Sequence, residues 1–468
     1  MLGSAAAEEE PKTRITAAFV QAKDPQAPIG EAEHPAVVKA NGGAYEDERL
    51  EALLAVIVAE LVAADPKKAG TDQGADHAYR VTILDSGTVN AFALPGGYLY
   101  VTRGLIALAN DGAEIAAVLA HEMAHVDASH GVERIEATRA NDLAAKVAAQ
   151  VVRNGATKAL AKASSGRKLA SFSQRQELEA DHLGIQRAGR AGFDAGGARR
   201  FLVQMRRWSD HRGQAAGAGR ADMLSTHPST PERLDLARAH AERVGGEEPG
   251  RSLRDRYLEG VDGLVFGDRA DRGLIRERSY AHKGLGVSFE VPKGFTLRNK
   301  GDAALATGPD EMAVRFDAVP REAGASAREY IASGWVKGID AGSIQTAKRA
   351  GMDLATASAG AGAFSFAVAV FADDTHFYRF ITAAPKGAKG LAAASRAVSG
   401  SFKTLSDRER AALKPLRIRV AKAGAAETVE SLAARMASGG EALFRTLNGL
   451  DAGAPIVPGE RYKIVSAE

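Results

Sequence analysis

Apolar positions recur at helical spacing through much of the first half of the chain. The run ERLEALLAVIVAELVAA (48–64) places them three and four residues apart, which predicts an amphipathic helix. Between residues 79 and 106 the period changes. There YRVTILDSGTVNAFALPGGYLYVTRGLI alternates β-branched and aromatic residues and is broken at DSG and PGG, which predicts hairpin-like strands. Helical spacing returns in AEIAAVLAHEMAHVDASHG (113–131), with Asn110 or Asp111 as its cap, Glu114 as the capping-box partner and Gly131 as its end.

From about residue 280 to 405 a period of two takes over, in GVSFEVPKGF, MAVRFDAV, AFSFAVAVFADDTHFYRFITAA and SGSFKTLS. One helical stretch (326–337) lies among these strands, which predicts an antiparallel-sheet α/β sandwich. SDRERAALKP (406–415) reads as a charged linker, and the last fifty residues as strand, helix, helix, strand. The fold class expected is α+β multidomain. A flexible leader (1–27) precedes a mainly helical domain with a small β-sheet (28–272). The sandwich (276–405), the linker and a βααβ module (416–466) follow.

Composition narrows the chemistry. There are no cysteines, so any metal must be held by His, Asp or Glu, and no thiolate nucleophile or disulfide is available. A net charge of +3 over 468 residues gives no support to a nucleic-acid partner. No run approaches the roughly 18 apolar residues of a membrane-spanning helix, so no transmembrane segment is expected. The start, MLGSAAAEEEPKTR, has neither the basic nor the apolar region of an export signal.

The candidate chemistry centres on HEMAH (121–125). Residues i and i+4 share a helical face, so His121 and His125 can hold one cation. Glu122, about 100° around the helix, can reach a water on that cation without ligating it. The bland alternative is a pair of satisfied histidines beside an exposed glutamate. His130 misses by one the third position of an HExxHxxGxxH pattern and reads as a surface or helix-end residue. In SQRQELEAD (173–181), Glu177 and Asp181 are again i, i+4. That spacing suits a ligand carboxylate with a partner for a ligand histidine, and equally a solvated acidic face; beside HEMAH the ligand reading prevails. Leu143, Val147 and Val151 form an apolar stripe between the two helices, suiting a packed helix, a lid or a membrane-surface helix.

IGEAEHPAVVKANGGAYED (29–47), NAFALPGG (90–97), HEMAH, SQRQELEAD and STHPSTPERL (225–234) together resemble the M48 family of zinc metallopeptidases, a gluzincin group. The likeness covers about residues 28–245 and is closest in texture to the soluble bacterial envelope members. It implies one zinc ion held by His121, His125 and Glu177, with Glu122 as general base and Asp181 supporting a ligand histidine. It implies an active-site edge strand whose backbone at Asn90, Ala91, Phe92 and Ala93 pairs with an extended substrate. It also brings His227 and Arg233 near the metal. A neutral His227 would fill the open position and silence the enzyme. A protonated His227, or Arg233, would stabilise a developing oxyanion. Ser173-Gln174-Arg175 stands where the family usually has Ser-Arg.

Residues 280–405 resemble a PsbP/Mog1-like sandwich. AETVESLAARM, LFRTLNGL and IVPGERYKIV resemble a LysM module, with AAET in place of the usual GDT of its glycan-binding loop. These resemblances imply a zinc endopeptidase acting on extended or misfolded envelope proteins in the bacterial periplasm, its export signal removed. They also imply peptidoglycan as a partner of the C-terminal module. The alternative is a latent zinc-binding chaperone or scaffold, anchored to peptidoglycan and autoinhibited by His227. A peptidoglycan hydrolase is a third reading, carried only by the LysM-like end.

Overall fold

The computed structural model describes residues 26–65, 79–133, 173–215, 223–244, 250–299, 303–322 and 324–467. The leader up to residue 25 and the stripe of Leu143, Val147 and Val151 lie outside them. The described chain divides into two compact units: residues 1–266 with 417–466, and 267–416 with the last two residues. The second unit is thus inserted in sequence between two parts of the first.

The first unit opens with α1 (Ala27–Ala40) and α2 (Glu48–Ala63). Asp47 caps α2 by accepting from the N–H groups of Arg49 and Leu50, and the helix buries Leu50, Leu53, Leu54, Ile57, Val58 and Leu61. Strands β1 (Arg80–Leu84), β2 (Ala91–Leu94) and β3 (Tyr98–Thr102) form a sheet in the order β1-β3-β2. Only β2 and β3 form the expected hairpin, turning at Gly96 and Gly97 with φ of +87° and +81°. β1 instead pairs parallel to β3, because the chain crosses over after Leu84 and leaves β2 on the edge.

Helix α3 (Arg103–Leu108) leads into α4 (Gly112–Asp127). α4 is buried on every side from Gly112 to Val126, which explains its near-continuous run of Ala, Ile, Val and Leu. Asp111 is its cap, accepting from Glu114 N–H at 2.8 Å, while Glu114 accepts from the N–H of Asn110. The helix ends at Asp127 rather than at Gly131; Ser129, at φ +58°, already breaks the helical path.

Helix α5 (Gln174–Arg190) crosses α4, followed by α6 (Gly197–Ala215), α7 (Met223–Thr226), α8 (Pro231–Val244), α9 (Arg254–Val261) and β4 (Val265–Phe266). Ser173 and Gln176 form a capping box, which settles the start of α5 despite the inserted glutamine. A Cβ on Gly184 would lie 2.9 Å from the His121 backbone N, so only glycine lets α5 approach α4 at the first motif histidine.

In the second unit, β5 (Leu274–Arg276), β6 (Ser279–His282) and β7 (Val287–Glu290) precede β8 (Thr296–Asn299), β9 (Ala304–Thr307) and β10 (Ala313–Pro320). Helix α10 (Ala327–Ala332), β11 (Gln345–Arg349), β12 (Met352–Ala361), β13 (Phe364–Ala372), β14 (His376–Pro385), α11 (Leu391–Ser401) and β15 (Lys403–Thr404) complete it, with α12 (Asp407–Ala412). The expected helix at 326–337 stops at Ala332, short of Gly334 at φ +84°. A seven-stranded sheet, β11-β12-β13-β14-β10-β9-β8, packs one face against a four-stranded sheet and α11 through Tyr280, Phe289, Phe316, Phe371, Phe380 and Phe402. Each fully buried phenylalanine contributes about 1.5–3 kcal/mol of hydrophobic stabilisation. The other face carries α10 over Val368, Val370 and Phe377. The segment read as a linker includes α12, started by a capping box of Ser406 and Glu409.

The last fifty residues follow the order β16 (Leu416–Lys422), α13 (Val429–Ala434), α14 (Gly440–Leu447) and β17 (Arg461–Ala467). They do not stand apart. β16 sits between β17 and β4 in one sheet. Lys463, wholly buried, donates from Nζ to the carbonyls of Ala107, Leu108 and Ala109 at 2.8, 3.1 and 2.6 Å. Burial pulls the Lys463 ammonium down to a pKa of about 7, and its N–H groups meet the orphan carbonyls at the C-terminal end of α3. Periodicity along the chain cannot reveal this docking, because its partners lie more than 350 residues apart.

Candidate metal centre and active site

α4 projects His121 and His125 from one face, and α5 brings Glu177 opposite them. The loop between α7 and α8 adds His227. One ligand atom from each of these four buried residues falls within 4.8 Å of all the others. Nε2 of His121 lies 3.1 Å from Nε2 of His125 and 3.3 Å from Nδ1 of His227. Glu177 Oε1 is 2.9 Å from His227 Nδ1 and 3.5 Å from His125 Nε2, and its Oε2 is 3.6 Å from His121 Nε2. Metal bonds of about 2.0–2.1 Å put tetrahedral neighbours roughly 3.3–3.4 Å apart, so these separations fit one small cation at the centre. The donor set, imidazole and carboxylate without thiolate, suits a borderline metal. The four residues could hold such an ion.

Around this set lies a shell of charge. Asp181 Oδ1 is 3.0 Å from His121 Nδ1. Arg233 grips Asp181 with two bonds of 2.7 Å and reaches Glu177 Oε2 at 2.7 Å; its Nη1 also donates to the Pro228 carbonyl. Its guanidinium thus pairs with both carboxylates. Glu122 is 1% exposed, and its Oε1 has no hydrogen-bond partner among the described residues, lying 3.7 Å from His227 Nε2. A buried carboxylate oxygen left unsatisfied is costly, and such groups mark sites of function.

Burial opposes a charge on His121, but Asp181 and Glu177 outweigh it and hold the imidazole above its ordinary range. Burial pushes His125 well below that range, so it stays a neutral, ligand-ready base. Burial also works against the charge of Glu177, yet hydrogen bonds from His125 and His227 keep its carboxyl far below normal. Asp181 is likewise held low against burial, chiefly by Arg233 and then His121. Carboxylates depressed in this way stabilise the fold above their ordinary pKa, and that stabilisation is lost only as pH falls through the depressed folded values.

Two contributors escape the sequence reading. His130 is no surface residue: it is 3% exposed, with its Nδ1 2.9 Å from His125 Nδ1 and its Nε2 3.6 Å from Glu179 Oε2. The turn at Ser129 reorients it after α4 has ended, which a continuous helical wheel does not anticipate. Gly184 is the other; a glycine inside the strong helical pattern of α5 was its only signal.

The edge strand lies beside this centre. Asn90 spends its backbone on Thr102: its N–H donates to Thr102 Oγ1 and its carbonyl accepts the Thr102 N–H. Antiparallel alternation then turns the backbones of Ala91 and Ala93, not Asn90, toward the open edge. A crevice between Ala93, Leu94 and Pro95 on one side and Glu122, His125 and Val126 on the other joins strand to centre.

Residues 49–241 match the description of peptidase family M48. The chain is 32% identical over 159 residues to the mitochondrial metalloendopeptidase OMA1 of Schizosaccharomyces pombe, covering 34% of this chain and 45% of that one. It is 28% identical over 254 residues to the beta-barrel assembly-enhancing protease of Yersinia pestis, covering 49% of this chain and 51% of the other. It therefore spans about half the length of the curated relatives it matches. The solution structure of cyanobacterial PsbP from Synechocystis sp. PCC 6803 aligns at 12% identity and a TM-score of 0.23, over 30% of this chain and 98% of that one. An alignment at that score assigns no fold. The four residues that converge on the centre, and that could hold a metal ion, all lie within 49–241, the stretch that matches the peptidase M48 family.

Proposed function

We propose that this chain is a zinc-dependent endopeptidase that cleaves extended segments of misfolded or unassembled proteins in the bacterial envelope. The observation that carries the reading is the buried set of His121, His125, Glu177 and His227 at tetrahedral spacing, next to Glu122 and an open strand edge. Zinc bound there supplies Lewis acidity and lowers the pKa of water. The residues do the rest. Ala91 and Ala93 hold the substrate backbone in an extended line, a mode tolerant of side-chain sequence. Glu122 takes the proton of the attacking water and returns it to the leaving amine. Asp181 fixes the tautomer of His121, and Arg233 fixes Asp181 and Glu177. The compartment and the substrate class are inferred from the relatives' names and the M48 likeness. The direct test is cleavage of unfolded casein by the zinc-loaded full chain, expected to stop with a chelator and to return when zinc is restored. A chelator-insensitive rate refutes the metal role.

His130 completes the support of the second ligand. With His125 Nε2 on the metal, its Nδ1 carries the proton and donates to His130, whose Nε2 points to Glu179. His130→Ala is expected to weaken zinc binding by roughly 10–100-fold, measured by competition with a chromogenic chelator, with the helical circular dichroism unchanged. Unaltered affinity would remove His130 from the site.

His227 supports a second reading, a latent form. On an ion held by all four residues, His227 would take the position a substrate carbonyl or water needs. His227→Ala is expected to raise casein cleavage at unchanged zinc content. No proteolysis from that variant at full zinc loading favours the scaffold reading over the enzyme. The peptidoglycan tether in that reading rests on the LysM resemblance alone.

A further inference from the structure

We propose that the first unit carries a second, non-catalytic binding site for a small hydroxylated anion, such as a sugar acid or a sugar phosphate. It lies at the N-terminal end of α4, the opposite end of that helix from the motif histidines, and does not depend on the proteolytic reading.

The site is a cavity of about 320 Å³ between α4, α6 and the C-terminal segment. That is the lower end of the range for small-ligand pockets. Its wall is mostly polar, with Val203 the one aliphatic side chain, and the Asp111 and Glu114 carboxylates in it both pair with Arg200. Two carboxamide oxygens in that wall, Asn110 Oδ1 and Gln204 Oε1, are buried without hydrogen-bond partners. Asn110 is 8% exposed and Gln204 1%. The orientation of Gln204 is set by its neighbours, since its amide nitrogen donates to the carbonyls of Leu108 and Thr446. Both oxygens therefore await donors, and hydroxyl groups supply them.

The guanidinium groups specify the other half of the ligand. Arg200 is neutralised by Asp111 and Asp194, and Arg207 by Asp451. Arg254 bonds only carbonyls among the described residues, those of Asn110 and Arg461, so its charge meets no carboxylate. Arg199 stands exposed at the rim with no bond among the described residues. These two unneutralised cations call for an anionic group, while the two amide oxygens call for hydroxyls. A ligand satisfying both would touch Asn110, next to the Asp111 cap of α4, and Gly449 of the C-terminal segment. It would brace that segment against the helix that ends in the metal-binding histidines.

The test is calorimetric titration of the full chain with D-glucuronate and glucose 6-phosphate, beside glucose and inorganic phosphate. At least one hydroxylated anion is expected to bind saturably, with glucose and phosphate each weaker by roughly tenfold or more, since each satisfies half of the wall. Which of the two anions binds separates the carboxylate from the phosphate form. Asn110→Ala removes an acceptor that bonds nothing else among the described residues. It is expected to weaken binding by roughly 3–10-fold while leaving the ligand-free Tm unchanged. Arg199→Ala, at the surface, provides the same test if Asn110→Ala fails to fold. No saturable binding up to about 10 mM, phosphate alone binding as tightly as its sugar ester, or both variants binding like the parent overturns the proposal.

Discussion

Glu122→Gln is expected to bind zinc like the parent and to cleave unfolded casein more slowly by on the order of 10²–10⁴-fold. Glutamine keeps the shape of the side chain but cannot take a proton. Glu122 is not one of the four residues whose ligand atoms converge, so metal content should not change. The same substitution is expected to leave the Tm unchanged or higher, because Glu122 Oε1 is buried without a hydrogen-bond partner. A neutral amide relieves the cost of holding a carboxylate there. Higher stability with lost activity is the signature of a residue retained for chemistry. Zinc by mass spectrometry, Tm by calorimetry and casein cleavage on the same preparations make the comparison. A variant that holds zinc and cleaves at the parent rate would sink the proposed role of Glu122.

Arg233→Ala should produce the largest loss of stability. Arg233 is 3% exposed and binds Asp181 twice and Glu177 once, all at 2.7 Å. Removing it leaves two buried carboxylates without their cation, and breaking a buried pair from one side costs about 3–5 kcal/mol. For a unit of about 300 residues that lowers the Tm by roughly 5–8 °C. The effect should be largest in metal-free protein, where no metal ion shares the charge of Glu177 with Arg233 and the histidines. Loading with zinc should recover part of it by stabilising the native state. An unchanged Tm in the metal-free variant would show that the triad of Arg233, Asp181 and Glu177 does not brace the site.

Much of the site was legible in the chain. HEMAH needs only a helical period to put two imidazoles on one face, and QELEAD repeats that geometry with carboxylates. Local spacing is enough when ligands share a helix, because four residues make about one turn. His130 was misread because its role depends on a break at Ser129 that turns the chain back toward His125. Register, not composition, decides which backbone groups of β2 face outward: those of Ala91 and Ala93 do, while those of Asn90 and Phe92 face β3. Arg233 is visible as a residue beside a motif, but its commitment to two carboxylates appears only once α5 and α8 are packed together.

The sequence alone determined the helical and strand periods, the absence of thiolate chemistry and the ligand types, since each is written within a few consecutive residues. Only the tertiary structure decided how α5 meets α4 across Gly184, which brings Glu177 to the two histidines, and how the loop after α7 adds His227. It alone decided that the last fifty residues pack into the first unit through Lys463, leaving a polar cavity above the start of α4. The division has a physical cause. Periodicity reports which face of an element is apolar, whereas the identity of the facing element depends on close packing between segments far apart in the chain.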